Sequence, residues 1–252
     1  MNRLNKIKEI RHSLSQNQLS IGSWMQIPNS SVAEVMGQAG YDWVAVDMEH
    51  GAIDAHQLPH LFRALELGGT LPLARLAQGE VKDCKQALDA GAGGVIVPMI
   101  ESATQLIRVR DNCRWPPGGS RGVGFSRANL FGKHFEAYSD EAQAPLLVGM
   151  IEHIRAVENL KDILQVDGLD AILIGPYDLS ASMGLTAKFE TDAFINVMER
   201  IRTLCSEYNI PCGVHVVMPD TSVLEQRVNE GYRFIAHSID SVFLRVSAEK
   251  PK

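Results

Sequence analysis

Acidic side chains at the ends of two apolar runs are the first candidates for chemistry in this sequence. Glu152 ends the run 146–152, and Asp178 follows the run 171–176. Two carboxylates at neighbouring strand ends supply the hard oxygen ligands that Mg²⁺ prefers, with positions left for water and substrate. Because acids at such positions also cap helices, spacing alone leaves both interpretations open.

A second group of ionisable residues ends the run 43–49, where Asp47, Glu49 and His50 lie together. Alternation puts Asp47 and Glu49 on one face of a strand, with His50 in the turn beyond. A carboxylate beside a histidine can fix its tautomer and raise its basicity; a helix-capping acid beside a surface histidine is the alternative. Arg75 lies in the next apolar run and requires an anion nearby, so it either stabilises an enolate or carboxylate oxygen or forms a structural ion pair.

Backbone groups and two further histidines extend this set of candidates. The Gly175-Pro176 turn exposes the N–H groups of Tyr177 and Asp178, which suit a substrate carboxylate. His215 and His237 lie inside the last two apolar runs. A core histidine with satisfied hydrogen bonds is the common case at such a position, so these two are the weaker candidates.

The elements that carry these residues alternate between short apolar or β-branched runs and helical patterns. The runs are 21–27, 43–49, 71–76, 94–100, 146–152, 171–176, 212–217 and 234–239. The helical segments are 31–39, 55–67, 80–90, 103–112, 154–164, 190–208, 222–229 and 240–248, with an extra helix at 5–14. Continuous apolar runs indicate parallel strands buried on both faces. This order predicts an α/β fold, a (β/α)₈ TIM barrel whose chemistry lies at the carboxyl ends of the strands; a doubly wound open sheet is the alternative.

Composition restricts the class of protein. A chain of 252 residues fits one barrel domain over 1–252. The net charge is −6 and no basic run stands out, so we expect no nucleic-acid partner. No apolar stretch is long enough to cross a membrane, and the first residues lack a signal-peptide core, so we expect a cytoplasmic protein. The cysteines form no C-x-x-C motif, which favours reduced thiols.

Several strings of residues have a familiar form. They are GYDW at 40–43, VDMEH at 46–50, WPPGGSRGVG at 115–124, IE at 151–152 and IGPYDLSASMG at 174–184. Together they resemble the metal-dependent 2-oxo acid aldolases of the HpcH/HpaI family, of the 4-hydroxy-2-oxoheptanedioate aldolase type. The similarity runs from about residue 21 to about residue 244, with the strings in order and at predicted strand ends.

The resemblance implies an enzyme mechanism with named residues. It implies Mg²⁺, Mn²⁺ or Co²⁺ held by Glu152 and Asp178. The bound cation would chelate a pyruvate-like 2-oxo acid and stabilise its enolate. Arg75 falls at the family's catalytic arginine, and His50, oriented by Asp47, falls at the acid/base histidine that releases the aldehyde. No lysine ends a predicted strand, which argues against an imine-forming aldolase. The family also implies a homo-oligomer, a hexamer that exchanges its last helix.

Departures from the family pattern leave the substrate and the reaction open. Met150 stands where the best-known members have Gln, and His215 and His237 stand where small or apolar residues are usual. With Glu49 and Arg121, these residues are candidates for substrate specificity. A citrate-type synthase or an oxaloacetate decarboxylase is the alternative to a 4-hydroxy-2-oxo acid aldolase, and a non-catalytic barrel is a third class.

Overall fold

The computed structural model describes residues 1–250, which form a closed barrel of parallel strands. The strands are β1 (Ser20–Met25), β2 (Trp43–Asp47), β3 (Leu71–Arg75), β4 (Gly94–Val97), β5 (Leu146–Ile151), β6 (Ala171–Ile174), β7 (Cys212–Val216) and β8 (Phe234–Ile239). Each strand pairs in parallel with the next, and β8 pairs with β1 to close the barrel. The predicted (β/α)₈ barrel is confirmed, and the open doubly wound sheet is excluded.

Helices follow the strands and cover the outside of the barrel, except for the first helix, which precedes β1. They are α1 (Arg3–Ser15), α2 (Ser30–Gln38), α3 (Leu58–Leu67), α4 (Val81–Ala90), α5 (Ala103–Cys113), α6 (Phe135–Gln143), α7 (Ile154–Glu158), α8 (Leu160–Leu164), α9 (Pro176–Ser182), α10 (Asp192–Glu207), α11 (Thr221–Asn229) and α12 (Asp240–Ser247). A short 3₁₀ helix, Arg127–Asn129, lies in the connection between α5 and α6. None of the helices within residues 1–250 has the length and apolar character of a membrane span.

Some helix boundaries differ from the sequence prediction. Asn29 caps α2, since its side chain accepts hydrogen bonds from two N–H groups of the first turn. The helix predicted over 55–67 begins only at Leu58, with Pro59 in its first turn. The segment predicted as one helix over 154–164 is two short helices that meet at Asn159.

The amino end of the barrel is filled by apolar side chains. Trp43 stacks on Phe234 inside the barrel, with ring centroids 4.3 Å apart. A Cβ atom at position 22 would lie 2.1 Å from the Trp43 ring, so only glycine fits opposite it. Three apolar residues of α1, Ile7, Ile10 and Leu14, are buried in the same interior cluster. The carboxyl ends of the strands are therefore left to line a cavity.

Arg121 belongs to the amino end as well, contrary to the expectation that it sets substrate specificity. Its side chain is fully buried. It donates hydrogen bonds to Asp89 (3.1 Å) and to the Tyr138 hydroxyl (3.2 Å), and its guanidinium lies 5.7 Å from the Trp115 ring centroid. The connection that carries it starts where α5 ends and returns to the start of β5, which keeps it away from the carboxyl ends of the strands.

Candidate active site

A cavity of about 220 Å³ lies at the carboxyl ends of the strands. Its lining residues come from most strands of the barrel; they are Trp24, Gln26, Asp47, His50, Arg75, Met150, Glu152, Ile174, Gly175, Pro176, Tyr177, Asp178, His215, Val217 and Ile239. Most of the residues singled out in the sequence therefore meet here. Arg121 and His237 do not line the cavity, and Glu49 contacts Arg75 beside it.

Alternation along the strands explains which side chains enter the cavity. On β2, Trp43 and Ala45 face the barrel interior, and Asp47 follows them on the same face. On β3, Leu71 and Leu73 face the interior, and Arg75 follows. The two polar residues are also direct neighbours in the register of β2 and β3. The apolar layers beneath thus hold a carboxylate and a guanidinium side by side.

Asp47 and Arg75 form a buried, two-pronged ion pair. Arg75 donates from Nε to Asp47 Oδ1 and from Nη2 to Asp47 Oδ2, both at 2.8 Å. Gln26 Nε2 and the backbone N–H groups of Glu49 and His50 each donate to Asp47 at 3.0 Å. Burial alone would raise the pKa of Asp47, but the hydrogen bonds and charge of Arg75 outweigh it and hold that pKa well below its usual range.

The sequence led us to expect that Asp47 orients the His50 imidazole, but Asp47 bonds the backbone of His50 instead. Its carboxylate bonds the backbone N–H of His50 and so fixes the turn after β2. The imidazole is exposed and borders the cavity. Asp47 therefore positions Arg75 and the turn, and the ring of His50 remains accessible from the cavity.

Glu49 is a second carboxylate on the same guanidinium. Its Oε2 atom pairs with Arg75 Nη1. Burial raises the pKa of Glu49, although the positive charges of Arg75 and His50 oppose this shift. Arg75 thus uses three of its five N–H donors on Asp47 and Glu49. Two donors remain for a further oxygen.

Glu152 follows β5; its side chain is buried and accepts a hydrogen bond from the backbone. Its Oε2 atom accepts a hydrogen bond from the Met99 N–H at 2.9 Å, and Met99 has a left-handed backbone (φ 53°). A Cβ atom at position 175 would lie 2.4 Å from Glu152 Oε1, so Gly175 leaves room for the carboxylate. Burial raises the pKa of Glu152 to about 7; the Met99 hydrogen bond opposes this, and the charges of Glu49 and Asp178 add to it.

Asp178 lies in the first turn of α9, not at the end of a strand. The helix begins at Pro176 directly after Gly175, and Tyr177 and Asp178 are both exposed. The first N–H groups of a helix have no partner within it. This turn therefore presents both a carboxylate and free N–H donors beside Glu152.

The donor set at Glu152 and Asp178 fits a hard divalent cation. Residues 1–250 contain no group of three or more His, Cys, Asp or Glu side chains arranged to hold a metal. Two carboxylates on one cavity, with the remaining positions taken by water or substrate, are what Mg²⁺ commonly uses in enzymes. Burial and the nearby charges of Glu49 and Asp178 leave the negative charge of Glu152 poorly compensated by the protein, which a cation would correct.

Of the two histidines on the last strands, His215 faces the interior of the barrel and His237 faces its exterior. His215 on β7 stacks on Trp24 inside the cavity, with ring centroids 5.1 Å apart. His237 on β8 faces outward, where its Nδ1 atom is 3.3 Å from the Tyr41 hydroxyl and its ring packs edge-on against Phe243 of α12. The structure thus separates His237 from the cavity.

Three residues that contact the charged groups of the site were not candidates in the sequence. Gln26 follows the first strand, and a search for polar residues at strand ends would have included it. Trp24 lies within an apolar strand, and its cation–π contact with Arg75, at 5.5 Å, had no signal in the sequence. Met99 acts through its backbone N–H, which sequence patterns do not show.

Fold and cavity together define a (β/α)₈-barrel enzyme with an acidic, arginine-containing site. The chain belongs to the HpcH/HpaI aldolase/citrate lyase family, whose model matches residues 20–246. This confirms the family-level resemblance drawn from the sequence, whereas the particular member is not settled by it.

Named relatives and a solved structure agree with this assignment. A hydroxypyruvate/pyruvate aldolase from Roseobacter denitrificans is 35% identical over 243 residues, 94% of this chain and 93% of the relative. A 4-hydroxy-2-oxovalerate aldolase from Novosphingobium aromaticivorans is 33% identical, covering 93% of this chain and 89% of the relative. A family member from Burkholderia cenocepacia superposes with a TM-score of 0.89 at 29% identity over 95% of both chains. The chain is a carbon–carbon lyase of this family.

Proposed function

We propose that this chain is a class II aldolase that makes or breaks the C–C bond of a 4-hydroxy-2-oxo acid. The products of cleavage are pyruvate, or a related 2-oxo acid, and an aldehyde. The observation that carries the proposal is that Glu152 and Asp178 share one cavity with the buried Arg75. The two aldolase relatives support it, since both are named for 2-oxo acid substrates.

Glu152 and Asp178 are the residues that would hold Mg²⁺, Mn²⁺ or Co²⁺. When bound, such a cation supplies Lewis-acid polarisation of the 2-oxo group and favours the enolate form of the 2-oxo acid. Met99 orients the Glu152 carboxylate through its N–H, and Gly175 keeps space beside Oε1. These contacts hold Oε2 and leave Oε1 of Glu152 for the cation.

Arg75 and the first turn of α9 bind the negative charge of the substrate. Asp47 fixes the guanidinium in one orientation, and two N–H donors stay free for the oxygen on which charge develops. Donors fixed before the reaction stabilise such charge most effectively. The N–H groups of Tyr177 and Asp178, beside Gly175 and Pro176, bind the substrate carboxylate.

His50 is the group that exchanges a proton with the 4-hydroxyl. Its imidazole borders the cavity and is exposed, which suits transfer through one water molecule. Removal of that proton accompanies release of the aldehyde. In the synthetic direction the same ring returns the proton to the new hydroxyl.

The test is an assay of the purified protein with a panel of aldehydes and pyruvate. The protein is treated with EDTA, and Mg²⁺, Mn²⁺ or Co²⁺ is then added back while new 4-hydroxy-2-oxo acids are followed by mass spectrometry. We expect no product in EDTA and product after metal addition. Turnover that persists in EDTA contradicts the proposal. Carbon dioxide from oxaloacetate, with no product from any aldehyde, assigns the chain to decarboxylases instead.

A homo-oligomer, expected from the family to be a hexamer, forms part of the same proposal. In α12, Asp240 is the buried residue, while Leu244 is 60% exposed and Val246 is 37% exposed. An amphipathic terminal helix with its apolar side in solvent favours contact with another subunit. Light scattering after size-exclusion chromatography measures the mass, and a monomer at all concentrations contradicts this expectation.

A further inference from the structure

One wall of the catalytic cavity carries a hydrogen-bonding side chain that the proposed mechanism does not use. His215 on β7 lines the cavity and stacks on Trp24. Met150, Val217 and Ile239, which line the same cavity, present apolar surface. The imidazole therefore gives this wall a polar atom that can distinguish one substrate from another.

The tautomer of His215 follows from its hydrogen bond. Its Nε2 atom lies 3.1 Å from the carbonyl oxygen of Ser238. A carbonyl oxygen only accepts, so Nε2 carries the hydrogen, and in the neutral ring Nδ1 is left with a lone pair. Burial lowers the pKa of His215 to about 4, so the ring is neutral near pH 7. Nδ1 is therefore a hydrogen-bond acceptor under ordinary conditions.

The backbone that holds this ring is itself fixed. Ser238 has a left-handed conformation (φ 58°) and is fully buried. Its hydroxyl donates to the carbonyl oxygen of Val217 at 3.0 Å, which ties β8 to the end of β7. The Ser238 carbonyl is thus held in place to accept from His215.

Stacking fixes the plane of the ring. The imidazole lies nearly parallel to Trp24, at an interplanar angle of 28°. The Trp24 ring is in turn in contact with the Arg75 guanidinium, at 5.5 Å. His215 therefore has a defined position relative to the arginine that would bind the substrate oxygen. A preorganised acceptor of this kind discriminates between ligands more strongly than a flexible one.

We propose, building on the function above, that His215 is a specificity-determining residue that accepts a hydrogen bond at Nδ1 from a hydroxyl group of the substrate. The hydroxyl belongs either to C3 of the 2-oxo acid, as in hydroxypyruvate, or to the carbon next to the aldehyde group, as in glycolaldehyde. A bound substrate that lacks this hydroxyl covers Nδ1 without giving it a partner, which costs free energy. The enzyme therefore prefers hydroxylated substrates over their deoxy counterparts.

Binding measured by calorimetry tests the first source of the hydroxyl. The dissociation constants of pyruvate and hydroxypyruvate are measured in the presence of Mg²⁺ for the wild type, His215→Leu and His215→Asn. We expect His215→Leu to weaken hydroxypyruvate by roughly 10-fold relative to pyruvate. His215→Asn, which keeps an acceptor near the position of Nδ1, restores much of the preference.

Turnover with aldehydes tests the second source. With pyruvate as the fixed partner, kcat/KM is compared for glycolaldehyde and acetaldehyde in the same three proteins. A roughly 10-fold loss confined to glycolaldehyde in His215→Leu places the hydroxyl on the aldehyde. A loss confined to hydroxypyruvate binding places it on C3 of the 2-oxo acid.

Met150→Leu is the matched control, because it changes the shape of the same cavity without a polar atom. We expect it to alter hydroxylated and deoxy substrates alike. If His215→Leu also affects both classes equally in both experiments, the proposal is overturned. Failure of every aldehyde to react with the wild type contradicts the aldolase function alone, since the calorimetric ratio still decides whether His215 recognises a hydroxyl.

Discussion

Two carboxylates at the same end of the barrel have opposite surroundings. Asp47 on the β2 side is surrounded by donors, with Arg75 as its bidentate partner, and its pKa lies well below its usual range. Glu152 on the β5 side receives one backbone hydrogen bond and faces other acids, and its pKa is raised to about 7. Asp47 is therefore the structural partner of a protein cation, whereas the protein leaves the charge of Glu152 poorly compensated, as the proposed cation site requires.

The largest expected effect separates these two roles at Glu152. Glu152→Gln keeps the shape of the side chain and removes the charge. We expect metal-supported turnover to fall by roughly 10³-fold or more and calorimetric binding of Mn²⁺ to be lost. The free energy of unfolding in metal-free buffer should be unchanged or higher, since a poorly compensated buried acid is removed.

Glu158→Gln is the control for that measurement, because Glu158 is an exposed residue of α7 outside the cavity. It should retain both activity and Mn²⁺ binding. A Glu152→Gln protein that still binds Mn²⁺ with the affinity of the wild type would contradict the assignment of this residue.

Asp47→Asn, unlike Glu152→Gln, should lower the stability of the fold. The change leaves the buried Arg75 guanidinium without its main partner, and removal of one member of a buried pair costs about 3–5 kcal/mol. We expect the lower end of that range, because Glu49 remains in contact with Arg75. Urea unfolding measures the loss, and a stability equal to that of the wild type would show that the ion pair does not hold this side of the barrel.

The same pair has a defined pH dependence. Because the pKa of Asp47 is depressed in the folded protein, its stabilisation is present above the unfolded pKa of about 4 and is lost as the pH falls toward the folded value. The difference in unfolding free energy between the wild type and Asp47→Asn should therefore be constant from pH 8 to pH 5 and shrink below about pH 4. A difference that shrinks already between pH 8 and pH 6 would point to another titrating group.

Gly175→Ala tests the space beside Glu152 without a change of charge. The new Cβ atom would come 2.4 Å from Glu152 Oε1 and must displace that carboxylate. We expect kcat to fall by roughly 10²-fold, as a small misplacement of a catalytic group can cause. Gly124→Ala is the control, since a Cβ atom there meets no atom within 4 Å. Equal activities of the two variants would refute the spatial argument.

The smallest effect is expected at Gln26, which extends the Asp47 network. Gln26→Leu removes the hydrogen bond from Nε2 to Asp47 Oδ2. One net hydrogen bond accounts for about 1 kcal/mol, so we expect kcat/KM to fall by roughly 5- to 10-fold. Gln165→Leu at the exposed end of α8 serves as the control. An unchanged kcat/KM in Gln26→Leu would show that Arg75 and the N–H groups of Glu49 and His50 orient Asp47 without Gln26.

The sequence predicted the barrel because its strand signals are local. Runs such as 146–152 are apolar on both faces, and that pattern depends on nothing distant. The ends of the strands could be predicted for the same reason. Asp47, Arg75 and Glu152 were identified because they are polar residues at the ends of apolar runs. Strand order then followed from the regular alternation with helices.

Two of the candidate residues lie away from the cavity. Arg121 looked like a functional residue in a long connection, but that connection runs from α5 to β5, which the predicted order of strands and helices places at the amino end of the barrel. His237 shares a strand with Ala236, which faces inward, so His237 itself faces outward. The roles of Met99 and Gln26 depend on contacts with residues more than 20 positions away.

Asp240 connects α12 to the Asp47–Arg75 ion pair at the carboxyl end of the barrel. Its carboxylate accepts hydrogen bonds from the N–H groups of Gln26 and Ile27, at 2.8 and 2.9 Å, and so anchors the segment from which Gln26 reaches Asp47. The start of α12 therefore supports Arg75 through two hydrogen-bonded residues, Gln26 and Asp47. A neighbouring molecule that binds this helix and shifts Asp240 would therefore also change the position of Gln26 and, through it, of Asp47.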